Sequence, residues 1–79
     1  TELADGISIY EIKPLDQWLG KSIKDLNIRR VYGISIIAVK TTSGHMKFMP
    51  GADYVVEPDI HLMVIGKQED AEKIVKQLK

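Results

Sequence analysis

The sequence predicts a two-layer α+β domain in which a mostly antiparallel or mixed sheet of four to five strands carries two helices. Three observations predict it. Residues 68–79 place Ala71, Ile74, Val75 and Leu78 at i, i+3, i+4 and i+7 with Glu, Asp, Lys and Gln between them, the period of a helix with one apolar face. Three short runs, ISIYEI (7–12), ISIIAVK (34–40) and HLMVIG (61–66), are dominated by apolar and β-branched residues, which suit a half-buried pleated surface. Between the first two runs the apolar spacing is helical up to Gly33 and strand-like after it. The resulting order is strand, helix, strand, strand, a short further strand, strand, helix, and helices on one side of such a sheet bury both surfaces.

Taken in order, Thr1–Gly6 is polar and reads as a linker or frayed lead-in. Ile7–Ile12 is the first strand, ended by Pro14, and Leu15–Ser22 (LDQWLGKS) is a turn-rich connection that tucks its leucines and Trp18 against the core. Ser22 followed by Asp25 resembles a capping box, so a helix starts near Lys21–Ile23. Ile23 and Leu26 share its inner face; it runs to about Asn27, with a turn continuing through Tyr32 to a stop at Gly33. Ile34–Lys40 is apolar enough for a strand covered on both faces or at the centre of a sheet. Thr41–Gly44 is turn chemistry, and His45–Met49 returns as the hairpin partner. Pro50-Gly51 breaks that strand, Asp53–Ile60 is an extended connection interrupted by Pro58, His61–Gly66 is the last strand, and Gln68–Lys79 the last helix.

Length and charge exclude whole classes of function. A chain of 79 residues is one domain, and at that size only about 60% of the unfolded surface is buried, so association is an expected source of further stability. There is no cysteine, which removes disulfides and thiolate metal sites. Eleven basic residues balance eleven acidic ones, so no long-range attraction draws the domain to nucleic acid, and a nucleic-acid partner is not expected. No apolar run approaches the ~20 residues of a membrane span, so the domain is read as soluble, without direct membrane insertion. The chain starts without methionine, which is compatible with a fragment of a larger protein.

The chemistry-bearing residues form no catalytic set. No glycine-flanked elbow presents a serine as nucleophile, so an enzyme is not expected. His45 and His61 are far apart, with neither an i,i+4 partner nor a dense acidic cluster, and are read as a hairpin residue and a strand-start residue, not ligands. Glycines stand singly and form no phosphate loop. Arg29 and Arg30 have two readings. At a helix end they can bond the terminal carbonyls and favour the dipole; beside apolar residues at a cleft, a planar guanidinium can grip a phosphate through two parallel hydrogen bonds.

The run LDQWLGKSIKDLNIRRVYGISIIAVK, a hairpin, and then MPGADYVVEPDIHLMVIGKQEDAEKI resembles the C-terminal domain of regulator-of-potassium-conductance proteins, the TrkA-C-like domain of potassium-uptake regulators. The resemblance covers roughly Ile7–Val75 and assigns 7–79 to one regulatory domain. It rests on Leu-Gly-Lys-Ser before a Leu-ending helix, an arginine after that helix, Tyr-Gly before the apolar strand, and an apolar strand ending in Gly66. Pro58-Asp59 stands where members usually carry Gly-Asp.

The resemblance implies a cytoplasmic regulatory module, without catalysis, that acts at the inner face of the membrane on a potassium channel, potassium transporter or antiporter subunit. It implies a homodimer, and in some bacterial members a small anionic nucleotide, cyclic di-AMP, bound between the copies. By position it assigns ligand contacts to Arg29 for phosphate, to Ile23, to Ile34 and the polar residue after it, Ser35, and to Pro50. Members that bind the dinucleotide more often carry asparagine at the position of Ser35, and some place an apolar residue at Lys24. Two other readings stand beside it: a dimerisation module without ligand, and a regulatory domain that senses another small molecule or a metal ion.

Overall fold

The computed structural model describes residues 2–78. Five strands form one sheet, β1 (Glu2–Ala4), β2 (Ile7–Ile12), β3 (Ile34–Thr41), β4 (Met46–Phe48) and β5 (Ile60–Lys67), in the spatial order β1-β2-β5-β3-β4. Every neighbouring pair is antiparallel. Three helices accompany it, α1 (Ile23–Leu26), α2 (Ile28–Tyr32) and α3 (Gln68–Gln77), with a 3-10 turn at Asp16–Trp18. The α+β class holds, and β2 has the expected bounds.

Three local expectations change. The lead-in is not frayed over 2–4, because Glu2 and Ala4 pair with Ser8 and Ile7 in β1; Thr1 lies outside the described residues, as does Lys79 at the expected end of α3. The first helix is two short ones, because Asn27 takes a left-handed conformation (φ 49°). Asparagine tolerates that region better than most residues, and its N–H still closes α1 by donating to the carbonyls of Ile23 and Lys24. The segment 53–59 forms no strand of its own and contributes one isolated bridge, Ser22 to Val55.

Alternation along the strands separates the faces. On β5, Ile60, Leu62 and Val64 are buried, while His61, Met63 and Ile65 are half-buried on the other side. Facing pairs share a side in an antiparallel ladder, so Ile12 and Val39 join Leu62 on the helix-covered face, with Tyr10 and Ile36 beside Val64. There they meet Ile28 of α2, Ile74 of α3, Leu15, Trp18 and Val56 in a single core. A bulge at Ile37 shifts the register between Ile36 and Ala38, so Ala38 and Lys40 lie with Met63 and His61 on the opposite face. That face carries no helix.

Candidate functional site

The sequence-assigned residues lie on four segments: Ile23 begins α1, Arg29 is on α2, Ile34 and Ser35 open β3, and Pro50 follows β4. Ser22 caps α1, its Oγ accepting from the N–H of Asp25 at 3.1 Å, which satisfies one of the free donors of a helix start. Backbone bonds then strap the connection after Pro50 onto this corner: Ile23 N–H donates to Tyr54 O (3.0 Å), Lys24 N–H to Ala52 O (2.9 Å) and Val56 N–H to Lys21 O (2.9 Å). Ile23, which is half-buried, and the exposed turn 51–53 that follows Pro50 are thereby held together.

Asn27 redirects the chain so that α2 presents Arg29, Arg30 and Val31 outward, Val31 being 63% exposed. Among the described residues neither arginine forms a salt bridge, and neither guanidinium bonds a helix-end carbonyl. The carbonyl of Arg29 is taken by the N–H of Gly33, which ends α2 in the left-handed region at φ 76°. Both arginines lie in the last turn of α2, where their charge favours the helix dipole, but neither bonds a terminal carbonyl, and the five donors of Arg29 have no protein partner among the described residues.

Ser35 is half-buried on the helix-free face of the sheet, opposite Ile65. Ile34 differs from expectation. It is 0% exposed and belongs to the core, because the first residue of β3 points to the helix side and packs over Gly66. Its side chain is not available to a ligand, and the pleat leaves Ser35 as the surface residue of that pair.

Sequence reasoning missed a second polar group. Glu11 Oε2 accepts from His61 Nδ1 at 2.6 Å, and Glu11 Oε1 stands 3.6 Å from Lys40 Nζ. The three come from neighbouring strands, at β2, β5 and β3, on the helix-free face. The one signal in the sequence was Glu11 interrupting the apolar run ISIYEI. The hydrogen bond from His61 lowers the Glu11 carboxyl from its ordinary value of 4.5, against a smaller desolvation effect that raises it, with Lys40 adding to the fall. A carboxyl lowered in the folded state contributes stability that is present above 4.5 and is lost as pH falls through the lower folded value. Carbon NMR of the carboxyl is expected to show a midpoint below that ordinary value, moved back up in His61→Ala.

With this geometry in view, the chain can be placed among known proteins. The family model described as the TrkA-C domain matches residues 7–79. The chain belongs to the TrkA-C domain family. Two curated relatives of Bacillus subtilis (strain 168) are the Ktr system potassium uptake protein A, 31% identical over 72 residues, and the Ktr system potassium uptake protein C, 32% identical over 77. They match 91% and 98% of this chain, which spans 32% and 34% of theirs, about a third of each relative's length. Among solved structures, the regulator-of-conductance (RCK) C domain of the potassium transport protein KtrA in complex with cyclic di-AMP is 36% identical, with a TM-score of 0.78 over 89% of this chain and 81% of that one. The RCK_C domain dimer of S. agalactiae BusR, also in complex with cyclic di-AMP, is 28% identical, with a TM-score of 0.74 over 87% of this chain and 92% of that one. The expected family is thus the family found, and the TrkA-C fold of this chain is that of its neighbours.

BusR also bears on the expectation that nucleic acid is not a partner. In a further structure BusR is in complex with its busA-promotor DNA, 26% identical with a TM-score of 0.75 over 98% of this chain and 41% of that one. The charge balance of 11 against 11 describes this domain alone, and says nothing of what a longer protein containing it contacts.

Proposed function

We propose that this TrkA-C domain is the ligand-sensing regulatory unit of a potassium or other cation transport system in the cytoplasm, that it works as a homodimer, and that it binds cyclic di-AMP between its two copies. The observation that carries the reading is Arg29: an outward guanidinium with no protein partner among the described residues, in a chain 36% identical to a KtrA domain solved with that ligand. Two such arginines, one per copy, match the two phosphates of a cyclic dinucleotide, and planar guanidinium is the group that binds phosphate through paired bonds. Binding alters the attached transport protein only to the extent that the ligand prefers one arrangement of the two copies over another. The domain performs no chemistry on the ligand.

Calorimetry with cyclic di-AMP tests it. Saturable heat at one ligand per dimer is expected, and Arg29→Ala is expected to weaken binding by about 2–5 kcal/mol, the range for truncating one partner of a desolvated charge pair. An unchanged affinity in Arg29→Ala would move the site elsewhere. No heat well above micromolar ligand would leave a ligand-independent dimerisation module or a sensor of a different small molecule or metal ion. The BusR complexes favour a second reading, in which the same domain senses the ligand for a DNA-binding protein.

A further inference from the structure

Helices α2 and α3 each bury one side in the core, through Ile28 and Ile74, and a groove of about 390 Å³ runs between them. On the α3 side it is lined by Asp70, Lys73, Ile74 and Gln77, at i, i+3, i+4 and i+7, which share one stripe of that helix. The end of α2 supplies the facing wall, with Arg30, Val31 and then Gly33. Gly33 lets the two sides approach. It is left-handed at φ 76°, and a methyl on it would stand 2.8 Å from Asp70 Oδ2, so the carboxylate rests against bare backbone and is half-buried in the groove. Charged groups of both signs therefore share this space, and none is paired. Lys73 follows Asp70 at i+3, a spacing at which opposite charges can meet, yet among the described residues Asp70, Lys73 and Arg30 form no ion pair and the carboxylate accepts no hydrogen bond. Gln77 is half committed: its Oε1 accepts from Gln17 Nε2 at 3.2 Å, which leaves its own amide NH2 free to donate.

We propose that this groove is a second ligand site, separate from the one at Arg29, and that it takes a small zwitterion, an α-amino acid with an apolar side chain. Arg30, Lys73 and the Gln77 amide receive the carboxylate, Asp70 receives the ammonium, and Val31, 63% exposed on the wall, meets the side chain. Charge decides the class. A simple anion satisfies the two cations but adds a like charge beside the half-buried Asp70, and a simple cation satisfies Asp70 but faces Arg30 and Lys73. A molecule that carries both signs a few bonds apart satisfies all three. Size agrees, since the volume falls in the lower part of the range for small-molecule sites. The neighbouring charges belong elsewhere: Glu69 and Glu72 of α3 line a different hollow with Asp5 and Gly6, and Arg29 does not line this groove. An occupant that bonds both walls ties α3 to the turn from which β3 starts.

An amide NMR titration of the whole chain with L-valine tests the site, with acetate and ethylammonium as probes that each carry only one of the two charges. Valine taken through the millimolar range should move the amides of Gly33, Asp70 and Lys73 along one saturable curve, and neither single-charge probe should saturate them at the same concentrations. Asp70→Asn keeps the shape of the side chain, so its thermal melt should match the parent's while the valine dissociation constant rises at least about tenfold, the scale of one lost charged hydrogen bond. Lys73→Gln, at an exposed position, should weaken valine in the same direction, and it serves as the test should Asp70→Asn lower the melt. Acetate saturating the groove as well as valine does would overturn the zwitterion and leave an anion site. Valine binding that survives both variants unchanged would overturn the assigned contacts, and no movement at Gly33 and Asp70 would overturn the site itself. Each of these results stands apart from cyclic di-AMP, whose binding is read through Arg29→Ala.

Discussion

Trp18→Ala is expected to lower the unfolding free energy by about 3–5 kcal/mol, the range for removing a large buried aromatic side chain. For a domain of this length total stability is roughly 4–12 kcal/mol, at the usual 0.05–0.15 kcal/mol per residue, so the variant should be partly unfolded at ordinary temperature. The indole is 0% exposed and sits in the 3-10 turn between β2 and α1. It meets the ring of Tyr32 edge-on, with centroids 5.1 Å apart and planes at 75°, and so ties that turn to α2. Its Nε1–H has no hydrogen-bond partner among the described residues, and an unpaired buried donor is itself destabilising. Trp18→Phe should therefore cost markedly less than alanine: it leaves a smaller cavity, keeps an aromatic edge for Tyr32 and removes the unpaired donor. Urea unfolding followed by circular dichroism ranks the two, and equal losses would show that the second ring of the indole carries the packing.

Gly66→Ala is the second large effect, expected at about 1–3 kcal/mol as the cost of overpacking a filled core. A methyl at Gly66 would stand 2.8 Å from Ile34 Cγ2, 3.3 Å from the carbonyl oxygen of Gly33 and 3.4 Å from Ile34 Cα. Two of those three atoms are backbone of the adjoining strand and turn, so β3 must shift away from β5 where they pair. Gly51→Ala is the control. Its added methyl meets nothing within 4 Å and its φ is not positive, so the change should stay within about ±0.5 kcal/mol. The shift in β3 should also reach Ser35, so if the proposed site is right Gly66→Ala should weaken the heat of cyclic di-AMP binding as well as the fold.

Elements that announce themselves by local period were legible in the sequence. Ile7–Ile12 and the start of α3 fall where alternation and helical spacing put them, since each buries one face against a neighbour and the pattern records that face. The break at Asn27 was not legible, because Leu26, Ile28 and Val31 continue an acceptable helical spacing and only the left-handed conformation of Asn27 interrupts it. Nor did the apolar run 34–40 disclose which side it covers: Ile37 is an extra residue in the ladder, and a bulge reverses the alternation that would have shown one open face. Arg29 is exposed on α2 and Ser35 half-buried at the start of β3, the positions their places after a helix and after Tyr-Gly-Ile imply. Ile34 was misplaced because a one-residue step in a strand moves a side chain from surface to core. The Glu11–His61–Lys40 group was invisible because its members are brought together only by the order of strands, which no local pattern encodes.

That strand order has a consequence for how the domain is made. The central strand of the sheet is the last in sequence: Ile7 pairs with Lys67, and Ile34 with Gly66. The β3–β4 hairpin can close by itself as soon as residue 48 is available, while β2 has no inner neighbour until residues 60–67 arrive. Loops of tens of residues must be closed before those pairings return any stabilisation, a topology that folds slowly compared with local ones. During synthesis, then, residues 2–48 can form only two separate local hairpins, β1–β2 and β3–β4, and the sheet is completed in one late step when β5 slides between them.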